Sequence, residues 1–300
     1  MTDEPLSAFT GQRVHKLAEA ALQRADVVGE FPTPMHAVQQ ALDIHHRIDV
    51  ASLPDEIRAT KPSVLKRILG AVWFQERTVF IDTSQSEPRQ LFTDAHEASH
   101  VMCPWHAQTL AVIDTEDELV RRTSLELLEA EANLGAGALI FQGGRFHRHA
   151  LEGQVSIRAP LELARHYGAS RTAAVHYYAQ EHPDAVALLV AGRFCQHDGA
   201  VPVWRSVESP TFAKRFGRLT DLLPSGRLKV IGEGPDAPLA GIIQQAHLAV
   251  DPPQVDLSVP DRDRTQHPFI AEAFYNQHVN LVLVTEKRAR RLGRRARLAS

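Results

Sequence analysis

The chain has 300 residues, 44% of them hydrophobic, with 33 Lys+Arg against 36 Asp+Glu and a formal net charge of −3; this describes a soluble globular protein long enough for two or three domains. The opening MTDEPLSAFTG carries acids and no basic leader followed by an apolar run, and the longest apolar stretch, near Val186, is too short to span a bilayer, so a cytoplasmic protein without membrane contact is expected. Two cysteines, Cys103 and Cys195, exclude a disulfide framework and a cysteine zinc site, and agree with a reducing compartment.

Charge is unevenly spread. Residues 1–182 hold 17 Lys+Arg against 24 Asp+Glu, and residues 183–300 hold 16 against 12, much of that excess in the tail EKRARRLGRRARLAS. An acidic front half suits cations better than phosphates, and the tail reads as a solvated or frayed helix.

Along the chain, Gln12 to Asp26 has Val14, Leu17, Ala21 and Leu22 on one helical stripe, and Pro34 to Leu42 reads as a second helix with Thr33 as its N-cap. Ala71–Phe74 and Thr78–Ile81, flanking Gln75-Glu76-Arg77, predict a β-hairpin. Ser84 and Ser86 then offer caps, Ser84 and Glu87 are spaced for a capping box, and Pro88 suits a first turn, so a helix is expected from Glu87 to Met102, stopped by Pro104. A charged connection, HAQTLAVIDTEDELVRR, leads to an apolar helical stretch, TSLELLEAEANLGAGALIF, closed by Gly143-Gly144. Next, APLELARHYGASRTAAVHYYAQEHP reads as helix, tight turn at Gly168-Ala169-Ser170, and helix. From Pro183 onward AVALLVAGRF, VPVWRSV, RLKVIGEG and VNLVLVTEKR look like strands separated by proline-rich loops such as DPPQVDLSVPDRDRTQHP, and Trp204 is expected in a core.

Chemistry concentrates in FTDAHEASHVMCPWH, which contains H-E-x-x-H as His96, Glu97 and His100. Four residues apart on a helix, the two imidazoles project from one face about one turn apart and can share an ion. They suit Zn²⁺, which in catalytic sites takes three protein ligands and leaves a position for water. Glu97, beside the pair and not itself a ligand, is placed to take a proton from the attacking water and pass it to a leaving amine. The apolar stripe Leu91, Ala95, Met102 fixes the helix that carries them. A third ligand is expected on LELLEAEANLGAGAL, a segment apolar on nearly every side that nevertheless carries Glu126, Glu129 and Glu131; a buried carboxylate needs a partner, and periodicity does not choose among the three.

These residues resemble the ImmA/IrrE-type metallopeptidases, whose pattern is similar to F-T-x-A-H-E-x-x-H after a strand and, some thirty residues on, a helix with E-x-x-x-N and small residues. Here the matching positions are Phe92, Thr93, Ala95, His96, Glu97 and His100, then Glu129 and Asn133, with Arg89 ahead of the Phe-Thr pair. The resemblance spans about residues 30 to 182 and implies Glu129, not Glu131, as the third zinc ligand. Family members often have Gly where Ser99 stands, and a Leu-Met-Pro-like ending where this chain reads LIFQGG. His106, His147 and His149 are further candidates for oxyanion or outer-shell roles, and Cys103 for packing.

The expected fold is α+β: a zincin-like metallopeptidase domain with a small antiparallel sheet over residues 1–150, a helix-turn-helix-like segment over 151–183, and a C-terminal mixed α/β domain over 184–300, GAF-like by analogy with the family's appendages, that senses a ligand or presents substrate. Arg171, His176 and Tyr177 are a thin set for DNA readout, so packing or protein recognition is favoured over DNA binding. The resemblance implies a zinc-dependent endopeptidase, other divalent metals such as Mn²⁺ being alternatives, that cleaves one intracellular protein, a helix-turn-helix transcriptional repressor. The rival expectation is a non-catalytic DNA- or protein-binding regulator with a structural or degenerate metal site.

Overall fold

The computed structural model describes residues 8–52, 70–112, 118–193, 200–222, 227–229 and 237–287. The basic tail and Cys195 lie outside the described residues. The fold is α+β, and the chain divides into two compact units, residues 1–146 with 166–169 and residues 147–165 with 170–300.

In the first unit, α1 (Ala8–Arg24) and α2 (Met35–Ala41) precede β1 (His46–Asp49) and the hairpin β2 (Gly70–Trp73) and β3 (Thr78–Ile81). The hairpin is antiparallel, Arg77 taking the positive φ of 48° that closes its turn. β1, which sequence periodicity did not reveal, adds to β3 in parallel, so this sheet is mixed, in the order β1-β3-β2. Then come α3 (Glu87–Met102), α4 (Pro104–Val112) and α5 (Glu118–Phe141). Much of the expected charged connection is therefore helix: Pro104, which stops α3, opens α4, because a proline lacks only an N–H that a first turn leaves unpaired anyway. α3 lies between the sheet and α5, and α5 also packs on α1.

Two expected caps take other roles. Thr33 is buried and donates its hydroxyl to the carbonyls of Leu139 and Ile140 at 3.0 and 3.3 Å, while Pro34 occupies the cap of α2. Ser84 donates to Asp82 at 2.6 Å instead of building a capping box, and Ser86 stands at the N-cap of α3 with Pro88 in its first turn. The α3–α5 contact is close because Gly135 has no side chain: a Cβ there would stand 2.7 Å from the Ser99 Oγ and 2.8 Å from its Cβ. The side chain at this contact is that of Ser99 on α3, and the space it fills is left by Gly135 on α5. The turn at 166–169 also belongs here. Gly168 has φ 64° and a Cβ on it would meet Pro32 at 2.9 Å, while Tyr167 is buried among Phe31, Phe141 and Phe146.

The second unit is built on a six-stranded sheet in the order β6-β5-β4-β9-β8-β7, from β4 (Val186–Ala191), β5 (Ala200–Glu208), β6 (Arg227–Lys229), β7 (Gln254–Pro260), β8 (Gln266–Tyr275) and β9 (Asn280–Glu286), every pairing antiparallel. The loop expected at DPPQVDLSVPDRDRTQHP instead carries β7 and the start of β8; Leu257 and Val259 point one way along that strand while Asp256 and Ser258 alternate with them. α6 (Gly144–Leu151) runs from one unit into the other in sequence, α7 (Arg158–His166) and α8 (Arg171–Glu181) follow, and α9 (Pro210–Phe216) and α10 (Ala237–Ala246) complete the set. Ala187, Leu189, Val201, Phe212, Phe216, Ile243, Phe269, Val282 and Val284 form one apolar cluster between the sheet and α9 and α10. Trp204 is 60% exposed, contrary to the expected core position: it lies at the register shift between β4 and β5, where Val190 pairs with Arg205 and Ala191 with Val203.

Candidate metal centre

α3 places His96 and His100 one turn apart, and α5 brings Glu129 to them. His96 Nε2 stands 3.2 Å from His100 Nε2 and 3.2 Å from Glu129 Oε2; His100 Nε2 is 3.6 Å from Glu129 Oε1. Among the described residues, these three form the one group of His, Cys, Asp or Glu side chains converging closely enough to hold a metal ion. Ligands at tetrahedral corners about 2.05 Å from a zinc ion are about 3.3 Å apart, so the donor spacing and the N₂O donor set both fit Zn²⁺. Glu126 points elsewhere, into an exposed ion pair with Arg122 at 3.0 Å. α5 is also less enclosed than its composition implies, since Leu125 and Leu127 are 38% and 50% exposed; an apolar helix need not be buried all round when its far side holds arginine and glutamate.

Each imidazole is oriented from behind. His96 Nδ1 lies 3.1 Å from the Asn133 side-chain oxygen, one turn beyond Glu129 on α5. His100 Nδ1 lies 2.9 Å from His106 Nδ1. Burial first, then the charge of His96, pushes the His100 imidazole down to about 4, so it is neutral near pH 7, the state a ligand requires. For His96 burial acts downward, but contact with Glu129 and the nearby Glu97 outweigh it and hold the ring above its ordinary value. The hydrogen bond to His96 in turn holds Glu129 below the usual carboxylate range.

Glu97 is buried between α3 and the hairpin. Gly70, the first residue of β2, leaves room for it: a Cβ at 70 would stand 2.7 Å from Glu97 Oε1. Burial, reinforced by Glu129 and Asp94 and opposed by His96, pushes the Glu97 carboxyl up to about 7. A carboxyl with balanced affinity for its proton is suited to taking one up and giving it back.

Sequence reasoning passed over Asp94, yet it ties the motif helix down. Arg47 on β1 grips both of its oxygens at 2.9 and 3.0 Å, and Gln39 on α2 donates to one of them at 3.0 Å. The only signal was a carboxylate in the middle of the helix's buried face. His106 lies directly behind His100, whereas His147 and His149 lie on α6 and are not part of the converging group. Cys103 is a free, buried thiol, pushed up to about 12 by burial, which suits packing and not nucleophilic chemistry.

Residues 46–177 match Peptidase_M78, the IrrE N-terminal-like domain. The likeness to this family is that of the segment, 132 of the 300 residues. The IrrE-like segment runs from the first residue of β1 into α8, and so includes every side chain of the converging group. No curated protein matches the chain. Among solved structures, a Mycobacterium tuberculosis transcriptional regulator is similar with a TM-score of 0.52 at 14% identity, over 92% of this chain and 76% of that one, a likeness of fold alone. Among the described residues no helix is long and apolar enough to cross a membrane.

Proposed function

We propose that the protein is a zinc-dependent, site-specific endopeptidase of the cell interior, with His96, His100 and Glu129 as metal ligands and Glu97 as general acid–base. The observation that carries this reading is the donor triangle of two imidazoles from α3 and a carboxylate from α5, the rings 3.2 Å apart and each 3.2 to 3.6 Å from one Glu129 oxygen, beside a buried carboxyl that is not one of its corners. When bound, the ion supplies Lewis-acid polarisation of the scissile carbonyl and makes a water acidic enough to attack near neutral pH. Glu97 accepts the proton of the attacking water on its carboxylate and returns it to the leaving amine nitrogen. A zincin-like core over residues 1–150 does this chemistry. The remainder, a helix-turn-helix-like segment to 183 and a GAF-like domain from 184, senses a signal or presents substrate.

The substrate class in this reading is a protein, specifically a helix-turn-helix transcriptional repressor whose cleavage relieves repression. The rival reading, a non-catalytic regulator that touches DNA through α8, has less support in the geometry. Tyr177 is 6% exposed, Ala174, Val175, Tyr178 and Ala179 are buried with it, and the Arg171 guanidinium lies over the Phe274 ring at 5.4 Å. A major-groove helix needs such side chains free.

Metal analysis of purified wild type and His100→Ala tests the ligand set: wild type carries one zinc, or Mn²⁺, per chain and the variant does not, whereas equal content in both ends the reading. Co-expression with a repressor encoded nearby, comparing wild type with Glu97→Gln, tests the reaction. Cleavage by wild type alone is expected. Cleavage by both proteins identifies a contaminating protease, and cleavage by neither favours the binding role.

A further inference from the structure

Behind the donor triangle lies a second row of buried polar groups that the proposed reaction does not use. His106, two residues into α4, is fully buried, and Glu131 on α5 is 4% exposed. His106 Nδ1 faces His100 Nδ1 at 2.9 Å, and His106 Nε2 meets Glu131 Oε2 at 2.8 Å. The Trp105 indole N–H donates to the same Glu131 oxygen at 2.6 Å, and the Arg13 guanidinium covers the indole face at 3.9 Å.

The hydrogen-bond inventory of these groups permits one direction of donation for neutral rings. Glu131 Oε2 receives the indole N–H, which can only donate, so that oxygen is an acceptor and draws a second hydrogen from His106 Nε2. A neutral His106 then has a bare Nδ1. Two bare nitrogens 2.9 Å apart would repel, so His100 carries its hydrogen on Nδ1 and leaves the lone pair on Nε2. That Nε2 is the atom facing His96 and Glu129. A solvated imidazole prefers the opposite tautomer, with its hydrogen on Nε2, which would point a hydrogen into the site.

We propose that Glu131 and His106, with Trp105 fixing the polarity, form a buried relay that selects the Nδ1–H tautomer of His100. They are positioning residues: neither touches the donor triangle's centre. The functional meaning rests on the metal reading above, but the tautomer does not depend on an ion. The relay also gives Glu131 a purpose distinct from that of Glu129, two residues away on the same helix. Outer-shell partners of this type orient a ligand and raise its basicity, and their loss costs about 10- to 100-fold in metal affinity.

The test uses full-length protein with ¹⁵N-labelled histidine, stripped of metal, with the His100 signals identified by their loss in His100→Gln. Long-range ¹H–¹⁵N correlation reads which ring nitrogen carries the hydrogen. Wild type is expected to show Nδ1–H on His100, and His106→Phe to shift it towards Nε2–H while chelator competition shows zinc affinity about 10- to 100-fold weaker. Glu131→Gln keeps an acceptor for Trp105 and His106 but drops the charge, so it should keep the tautomer and lose affinity by less. An Nε2–H tautomer in wild type overturns the relay without any variant having to fold; so does an unchanged tautomer in a folded His106→Phe. A wild type that binds no zinc overturns the metal reading alone, and the tautomer result still decides the relay.

Discussion

The two units solve the problem of an interior in opposite ways. In the first, α3 and the elements packed on it enclose Asp94 and Glu97 on the side of α2 and the sheet, and Ser99, His100, His106 and Glu131 on the side of α4 and α5, all less than a tenth exposed. In the second, β4 and β9 are buried along their whole length by Ala, Val and Leu with few exceptions, and the buried acids are tied individually: Glu286 to the Arg215 guanidinium at 2.7 and 2.9 Å, Glu272 to the Ile157 N–H at 3.2 Å. A polar interior is tolerated only where every donor meets an acceptor, and it stabilises little compared with apolar packing. The first unit therefore gives up some stability to hold chemistry in one arrangement, while the second holds a scaffold.

That contrast can be broken most directly at Glu97. Glu97→Gln keeps the shape and removes a charge that burial disfavours, so the zinc-free variant should melt no lower than wild type while the proposed peptide cleavage falls about 10²- to 10⁴-fold; a large loss of thermal stability would mean that Glu97 is structural. In the second unit the expectation reverses. Phe269, fully buried against Phe212 and Phe216, should cost about 3–5 kcal/mol when changed to Ala, read as a lowered urea midpoint.

Gly135→Ala sharpens the comparison, because it forces a methyl onto Ser99 across the α3–α5 contact and should cost about 1–3 kcal/mol. Ser99→Gly in the same chain removes the atoms it strikes, so the double variant should recover part of that loss; simple additivity in a double-mutant cycle would show that the helices do not approach as closely as described. The smallest effect is expected at Ser209, the N-cap of α9, whose hydroxyl accepts from the Phe212 and Val186 N–H groups at 3.1 and 3.2 Å and donates to the Asp184 backbone carbonyl at 2.7 Å. Ser209→Ala should lower stability by about 1 kcal/mol in the same urea titration.

Local signals were readable in proportion to how local their causes are. The α3 bounds, the β2–β3 hairpin and the turn at Gly168 follow from patterns within a dozen residues, and all appear where the sequence places them except that β2 lies one residue earlier. Among the missed elements, β1 has four residues and a partner some thirty residues on, so its periodicity carries little information, whereas β7 does alternate apolar and polar residues but sits among prolines that read as loop. The caps failed for a related reason: Thr33 and Ser84 have hydroxyls that bond equally well to carbonyls or carboxylates, and only the neighbours supplied by folding decide which they meet.

By itself the sequence determined that His96 and His100 share a face, because 3.6 residues per turn requires it, and that Glu97 rides beside them. It narrowed the acidic partner to three residues of one helix and went no further from periodicity. Only the packing of α5 on α3 separated them, sending Glu126 to an arginine in solvent, Glu129 to the imidazole pair and Glu131 to the back of His106. Residues two apart on a helix face nearly opposite ways and residues three apart share a face one turn apart, so which carboxylate finds a partner is a property of the surrounding helices, not of this one alone.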